Sequence, residues 1–137
     1  MPFSHEKLIV YQKSIHFVGW TKELLDSLPS GSYNIRNQFE RASMSIPLNI
    51  AEGNGKFSDK DRCRFFQVAH GSALECAACL DVLVAQKYKE ADQVKSGKDL
   101  LTEIVNLIYG LLKRFDSFLV SEEQNSYGYE EGDYEED

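Results

Sequence analysis

The sequence is poor in the residues that staple or metallate a small protein. Cysteine occurs three times in 137 residues, at Cys63, Cys76 and Cys79. Together with the lack of an export signal, that count argues against a secreted disulfide scaffold. The opening Met-Pro-Phe-Ser-His-Glu has no basic region followed by an apolar one, so it does not read as a signal peptide. No apolar run reaches the roughly 18–20 residues that span a bilayer. The best, Ile104–Leu112, is interrupted by Asn106 and Gly110. Alternating strand patterns, internal repeats and a domain linker are missing too. The expectation is a soluble, cytoplasmic, single-domain protein, large enough to bury about two-thirds of its chain surface without staples.

Charge is present but unevenly placed. The formal net charge of −7 comes from 22 acids and 15 bases. Residues 121–137 hold eight of the acids and no Lys or Arg, which leaves residues 1–120 with fourteen acids against fifteen bases. The body is therefore +1, and the acidity belongs to the last segment. That polar, self-repelling segment is expected to be a disordered tail. Functionally it reads as an anionic arm competing for a basic surface on this protein or a partner.

Four helical segments account for nearly all of residues 1–120. The first, from about Glu6 to Ser27, has Leu8, Tyr11, Ile15, Val18 and Leu25 on one face. A Leu28-Pro-Ser-Gly-Ser32 turn ends it. The second, from about Tyr33 to Glu52, carries Ile35, Phe39, Ala42, Ile46 and Ile50, with Pro47 expected to kink it. Gly53-Asn54-Gly55 should stop it through positive φ. The third starts after Ser58, with Asp61 three positions on in capping-box fashion. It places Phe65, Val68, Ala69, Ser72, Cys76, Cys79, Leu80 and Leu83 on its core stripe. The fourth runs from about Glu90 to Val120 through Leu101, Ile104, Ile108, Leu112 and Leu119, with Ser96-Gly97 as a possible break and the firm helix starting near Lys98. Such helices with short connections predict an all-α, antiparallel up-down four-helix bundle.

The first helix carries a second apolar face of Ile9, Val10, Phe17, Trp20 and Leu24. Either the long first and fourth helices wrap this face themselves or a neighbouring subunit covers it, since a lone bundle buries one stripe per helix. The second reading makes Ile9, Phe17, Trp20 and Leu24 oligomer-interface residues. Their partner would be Phe66 and the small-residue side of the third helix.

Tests for chemistry are mostly negative. A di-iron bundle needs inward Glu-x-x-His pairs, and none is present. Cys76-Ala-Ala-Cys79 has redox or zinc spacing, but zinc needs two further ligands and a reactive dithiol favours a helix N-terminus. The pair sits mid-helix and reads as core. Gly53-Asn-Gly-Lys56 is too short for a phosphate loop. No catalytic constellation, metal site or cofactor is expected.

A polar ridge on the second helix is more informative. Gln38, Arg41, Ser45, Asn49 and Glu52 are spaced 3, 4, 4 and 3 beside the core stripe. With the second and third helices in a hairpin, three pairings are expected: Arg41 with Glu75, Glu52 with Arg62 or Arg64, and Asn49 with Ser72. Such a network would set helix register.

The run Gln38-x-x-Arg41-Ala42-x-x-Ser45-Ile46-Pro47-x-Asn49-Ile50-Ala51-Glu52-Gly53 resembles the signature of a bacterial four-helix-bundle family. That family includes proteins encoded in intervening sequences of 23S ribosomal RNA genes and the accessory variability determinant of diversity-generating retroelements. Leu8-Ile-Val-Tyr-Gln12, Ser58, Phe65, Ala69, Gly71-Ser72 and Glu75 match as well. The resemblance implies a homopentameric ring. For the retroelement branch it implies binding of RNA and a reverse transcriptase without catalysis. Phosphate contacts would come from Lys7, Lys13, Arg36, Lys56, Lys60, Arg62 and Arg64. The alternative is a protein-only oligomeric scaffold. Departures from the family pattern are Glu40, where a basic residue is common, and the acidic 121–137 segment.

Overall fold

The structure, a computed structural model, describes residues 3–115. A short 3-10 turn, Ser4–Lys7, leads into α1 (Ile9–Asp26), α2 (Tyr33–Asn54), α3 (Asp59–Ala85) and α4 (Ala91–Phe115). The expected extension of the fourth helix through Leu119 to Val120, and the acidic 121–137 segment, lie outside the described residues. The described helices form an up-down bundle in which each packs on its neighbours in sequence and α4 closes onto α1.

Two sets of contacts identify the ends. At one, Asn54 donates to the Ser4 hydroxyl at 2.7 Å and Phe66 tilts against Phe115. At the other, Lys89 donates to Ser27 at 2.6 Å and Trp20 Nε1 to Ser96 Oγ at 3.2 Å.

Each helix is bounded by local chemistry. Ser58 caps α3 by accepting the Asp61 N–H at 3.1 Å, as its spacing predicted. α2 runs unbroken through Pro47 and stops at Asn54, with Gly55 at φ −86. The glycines therefore do not end it through positive φ. Gly53 has another reason to be glycine: a Cβ there would stand 2.8 Å from Phe66 Cε1 and 3.0 Å from Phe65 Cβ. It lets α2 and α3 approach closely. Gly97 does the same for α1 and α4, where a Cβ would fall 2.3 Å from the Trp20 indole. The expected break at Ser96-Gly97 does not occur, and α4 is continuous from Ala91.

The core is apolar and dense. Phe39, Ala42, Ile46 and Ile50 of α2 and Leu101, Ile104, Ile108 and Leu112 of α4 are buried as expected. On α3 the stripe is Cys63, Phe66, Ala69, Ala73, Cys76, Cys79, Leu80 and Leu83. Phe65 and Ser72 sit at its edge, and Val68 is exposed. On α1 the core face is Val10, Ser14, Phe17, Thr21 and Leu25, rotated from the expected Leu8–Val18 stripe. Ser14 is tolerated there because its hydroxyl donates to the Tyr11 carbonyl at 2.8 Å.

The expectation that no stretch is long and apolar enough to span a bilayer is corrected by α3. By length and composition alone α3 is apolar enough to cross a membrane, yet only 33% of that stretch is buried in the bundle.

Candidate functional site

The polar ridge of α2 meets α3 with different partners from those expected. Ser45 Oγ and Ser72 Oγ are hydrogen-bonded at 2.7 Å, and Asn49 Nδ2 donates to Ser45 Oγ at 3.0 Å and to the Ser45 carbonyl at 2.8 Å. Asn49 thus reaches Ser72 only through Ser45. Gln38, rather than Arg41, donates to Glu75. Arg41 is exposed and pairs with none of the described residues. Glu52 faces Lys56 at 3.9 Å, while Arg62 pairs with Asp59 at 2.8 Å and Arg64 with Asp61 at 3.4 Å, each within its own helix. The expected inter-helix ion pairs are therefore absent among the described residues. What remains is a small, half-buried hydroxyl and amide cluster.

The basic residues separate by end. Arg36 donates to the Leu28 carbonyl at 3.0 Å and serves the α1–α2 turn. Lys13, in the second turn of α1, pairs with Glu103 of α4 at 2.5 Å. The remaining candidates collect where Ser4, Asn54 and Phe115 meet: Lys7 before α1, and Lys56, Lys60, Arg62 and Arg64 about the α2–α3 turn. The fold adds Lys113 and Arg114 from the last turn of α4, which sequence reasoning missed because only the antiparallel return of α4 brings them there. Among the described residues the seven bases at this end face four acids, Glu6, Glu52, Asp59 and Asp61. Two rings organise the cations. Lys56 Nζ and the Arg64 guanidinium lie 4.9 and 5.7 Å from the Phe65 centroid, and Arg62 and Arg114 lie 5.2 and 5.1 Å from that of Phe115. A third ring, Phe57, stands beyond them in the turn, 99% exposed.

The proposed interface face of α1 does not survive. Phe17 and Phe66 are fully buried in the chain's own core. Trp20 lies half-buried against Gly97, stacked on Phe17 at 5.7 Å, and Leu24 packs on the same core. The fourth helix covers this face, so of the five candidates only Ile9 stays exposed. Among the described residues an unpartnered apolar surface exists instead on α3. Val68, Gly71, Leu74, Ala78, Val82 and Ala85 recur at spacings of 3, 3, 4, 4 and 3 and are all exposed, Leu74 at 51%. Exposed apolar residues at this spacing form one stripe. A shallow cleft of about 300 Å³ between α3 and α4, edged by Leu74, Ala77 and Val105, adjoins it.

Reactive groups are muted. Burial, then the neighbouring Cys79 and Glu75, pushes the Cys76 thiol far above its ordinary range. Burial and Glu75 push Cys79 up to about 11. Both are neutral thiols at neutral pH and poor nucleophiles. Burial lowers the His70 pKa, favouring neutral imidazole.

Comparison with known proteins agrees with this architecture. The model of a family described as 23S rRNA-intervening sequence protein matches residues 6–110. A solved structure, that of a protein with unknown function from the S23 ribosomal protein family of Bacteroides thetaiotaomicron VPI-5482, is similar at a TM-score of 0.71. It is 26% identical, and the alignment covers 77% of this chain and 99% of that one. No curated protein matches.

Proposed function

Since the chain belongs to the 23S rRNA-intervening sequence protein family, we propose that it is a non-catalytic, self-assembling adaptor that binds RNA together with a reverse transcriptase. The observation that carries this reading is the outer face of α3, an apolar stripe left in water by a bundle whose core is otherwise complete. A surface of this kind is covered by assembly or by a partner. We assign it to assembly between copies, the homopentameric ring that the family resemblance implies. The basic end, with seven bases against four acids among the described residues, is the RNA surface of that assembly. Its charge multiplies with each copy in a ring, and phosphate neutralisation supplies most non-specific affinity.

A second reading keeps the assembly and drops the RNA. It is favoured by the carboxylates already paired with Lys13, Lys56, Arg62 and Arg64. RNA binding across a salt series, with light scattering of the same samples, separates the two. The adaptor predicts a multimer that Leu74→Glu dissociates without unfolding, and RNA affinity that falls steeply with salt. A multimer that binds no RNA at low salt, in the full chain and in residues 1–120 alike, leaves the scaffold. A monomer removes both readings. The reverse transcriptase part of the reading is tested by co-purification with a retroelement reverse transcriptase, and failure to co-purify removes that part.

A further inference from the structure

Phe57 has no evident structural duty. The turn it occupies is made by its neighbours: Gly55 caps α2 through N–H bonds to the Ala51 and Glu52 carbonyls, and Ser58 caps α3. Phe57 is 99% exposed among the described residues, whereas Phe65 and Phe115 each have two cationic groups within about 6 Å of their ring centroids. Burying such a ring is worth about 1.5–3 kcal/mol, so its presence at a tip points to burial against something else. The surroundings say what. A protein-contact anchor normally sits within a dehydrated apolar patch, but Phe57 is flanked by Lys56, Ser58, Asp59 and Lys60. The apolar stripe of α3 begins only at Val68, roughly 14 Å up the helix from its first residue at 1.5 Å per residue. An exposed aromatic ring with lysines on either side of it in the chain is instead an arrangement that binds single-stranded nucleic acid, a base stacking on the ring while adjacent phosphates meet the ammonium groups.

We propose that Phe57 is a stacking platform for an unpaired RNA base, with Lys56 and Lys60 holding the flanking phosphates. This rests on the RNA-binding reading above and deepens it, giving unpaired strand rather than duplex as the ligand. Lys60 forms no pair with the described residues and is available for that contact.

The test uses the full chain, an unstructured 12-nucleotide RNA and a duplex of equal length. Phe57→Ala is expected to weaken single-strand binding about five- to a hundredfold, the value of one stacked base, with the salt slope unchanged and duplex binding unmoved. Phe57→Trp should retain affinity and add a fluorescence signal quenched by RNA. Lys60→Gln should weaken both RNAs and flatten the salt slope. If Lys60→Gln weakens binding and Phe57→Ala does not, RNA binding stands and the stacking role is overturned. Equal loss on single strand and duplex overturns it as well. Loss of assembly in Phe57→Ala with RNA affinity kept would make the ring a protein contact. If the wild-type chain binds neither RNA, the adaptor reading and this inference fail together.

Discussion

Gly97→Ala should destabilise the bundle even though alanine is the better helix former. In the interior of α4 the exchange alone favours folding by about 1 kcal/mol. Against that, the new Cβ would lie 2.3, 2.5 and 2.8 Å from Cη2, Cζ3 and Cζ2 of Trp20. Carbon atoms at contact stand about 3.5–4.0 Å apart, so the overlap exceeds roughly 1 Å. The indole cannot swing aside cheaply. It is stacked on Phe17 at 5.7 Å and 19°, and its N–H donates to Ser96 Oγ. Overpacking of this severity costs about 3 kcal/mol, the upper part of the usual range, which leaves a net loss of about 2 kcal/mol. Gly110→Ala in the same helix is the control, because a Cβ there meets nothing within 4 Å; it should stabilise by about 1 kcal/mol. Urea unfolding followed by far-UV circular dichroism, at one protomer concentration, measures both. Trp20→Phe removes the colliding atoms, so adding it to Gly97→Ala should recover at least about 1 kcal/mol of coupling. Equal stabilisation by the two alanines would refute the packing of Trp20 on α4. It would also return that side chain to the list of candidate subunit contacts.

Three further outcomes are expected. Ser45→Ala should cost about 1 kcal/mol by removing the Ser72 hydroxyl's partner and one of the two Asn49 bonds, that to the Ser45 carbonyl being kept, whereas exposed Arg41→Ala stays within about 0.5 kcal/mol; a double-mutant cycle with measurable Arg41–Glu75 coupling would contradict this geometry. At pH 8 Cys76 and Cys79 should resist alkylation until urea is added. Because the Cys79 pKa is about 11 in the fold against an ordinary 9, folded protein keeps a proton that unfolded protein releases, so stability should fall as pH rises from 9 towards 11, less steeply in Cys79→Ala; rapid labelling of native protein would overturn the burial. Deleting residues 121–137, eight acids that follow the basic end of α4 in the chain, should tighten RNA binding most at low salt; unchanged or weaker affinity would remove the tail as a competitor.

Much of the fold was legible because helical periodicity repeats along most of the chain. The α2 stripe from Phe39 to Ile50, the α4 stripe from Leu101 to Leu112 and the Ser58 cap all lie where spacing placed them. The polar ridge was legible as a ridge, but its partners were not. Gln38 reaches Glu75 and Arg41 does not, because rotation of two packed helices by a fraction of a turn changes which long side chain arrives. The α1 face was misjudged because hydrophobicity counted Ile15 and Val18 inward and Ser14 and Thr21 outward. A small hydroxyl residue can satisfy itself on its own helix, as Ser14 does, and so fits a close interface that a larger apolar residue would obstruct.

By itself, then, the order of residues determined four helices, their limits within a few positions, the family signature from Gln38 to Gly53 and the concentration of net negative charge in the last segment. These depend on near neighbours along the chain, at separations of three, four and seven. Only the tertiary structure decided that Trp20 is covered by Gly97, that the exposed apolar face belongs to α3, and that Lys113 and Arg114 join Lys7 and the α2–α3 turn at one end. Those outcomes depend on how far each helix turns about its axis as four of them close. That rotation is settled by the fit of all the interfaces at once, not by any local stretch of sequence.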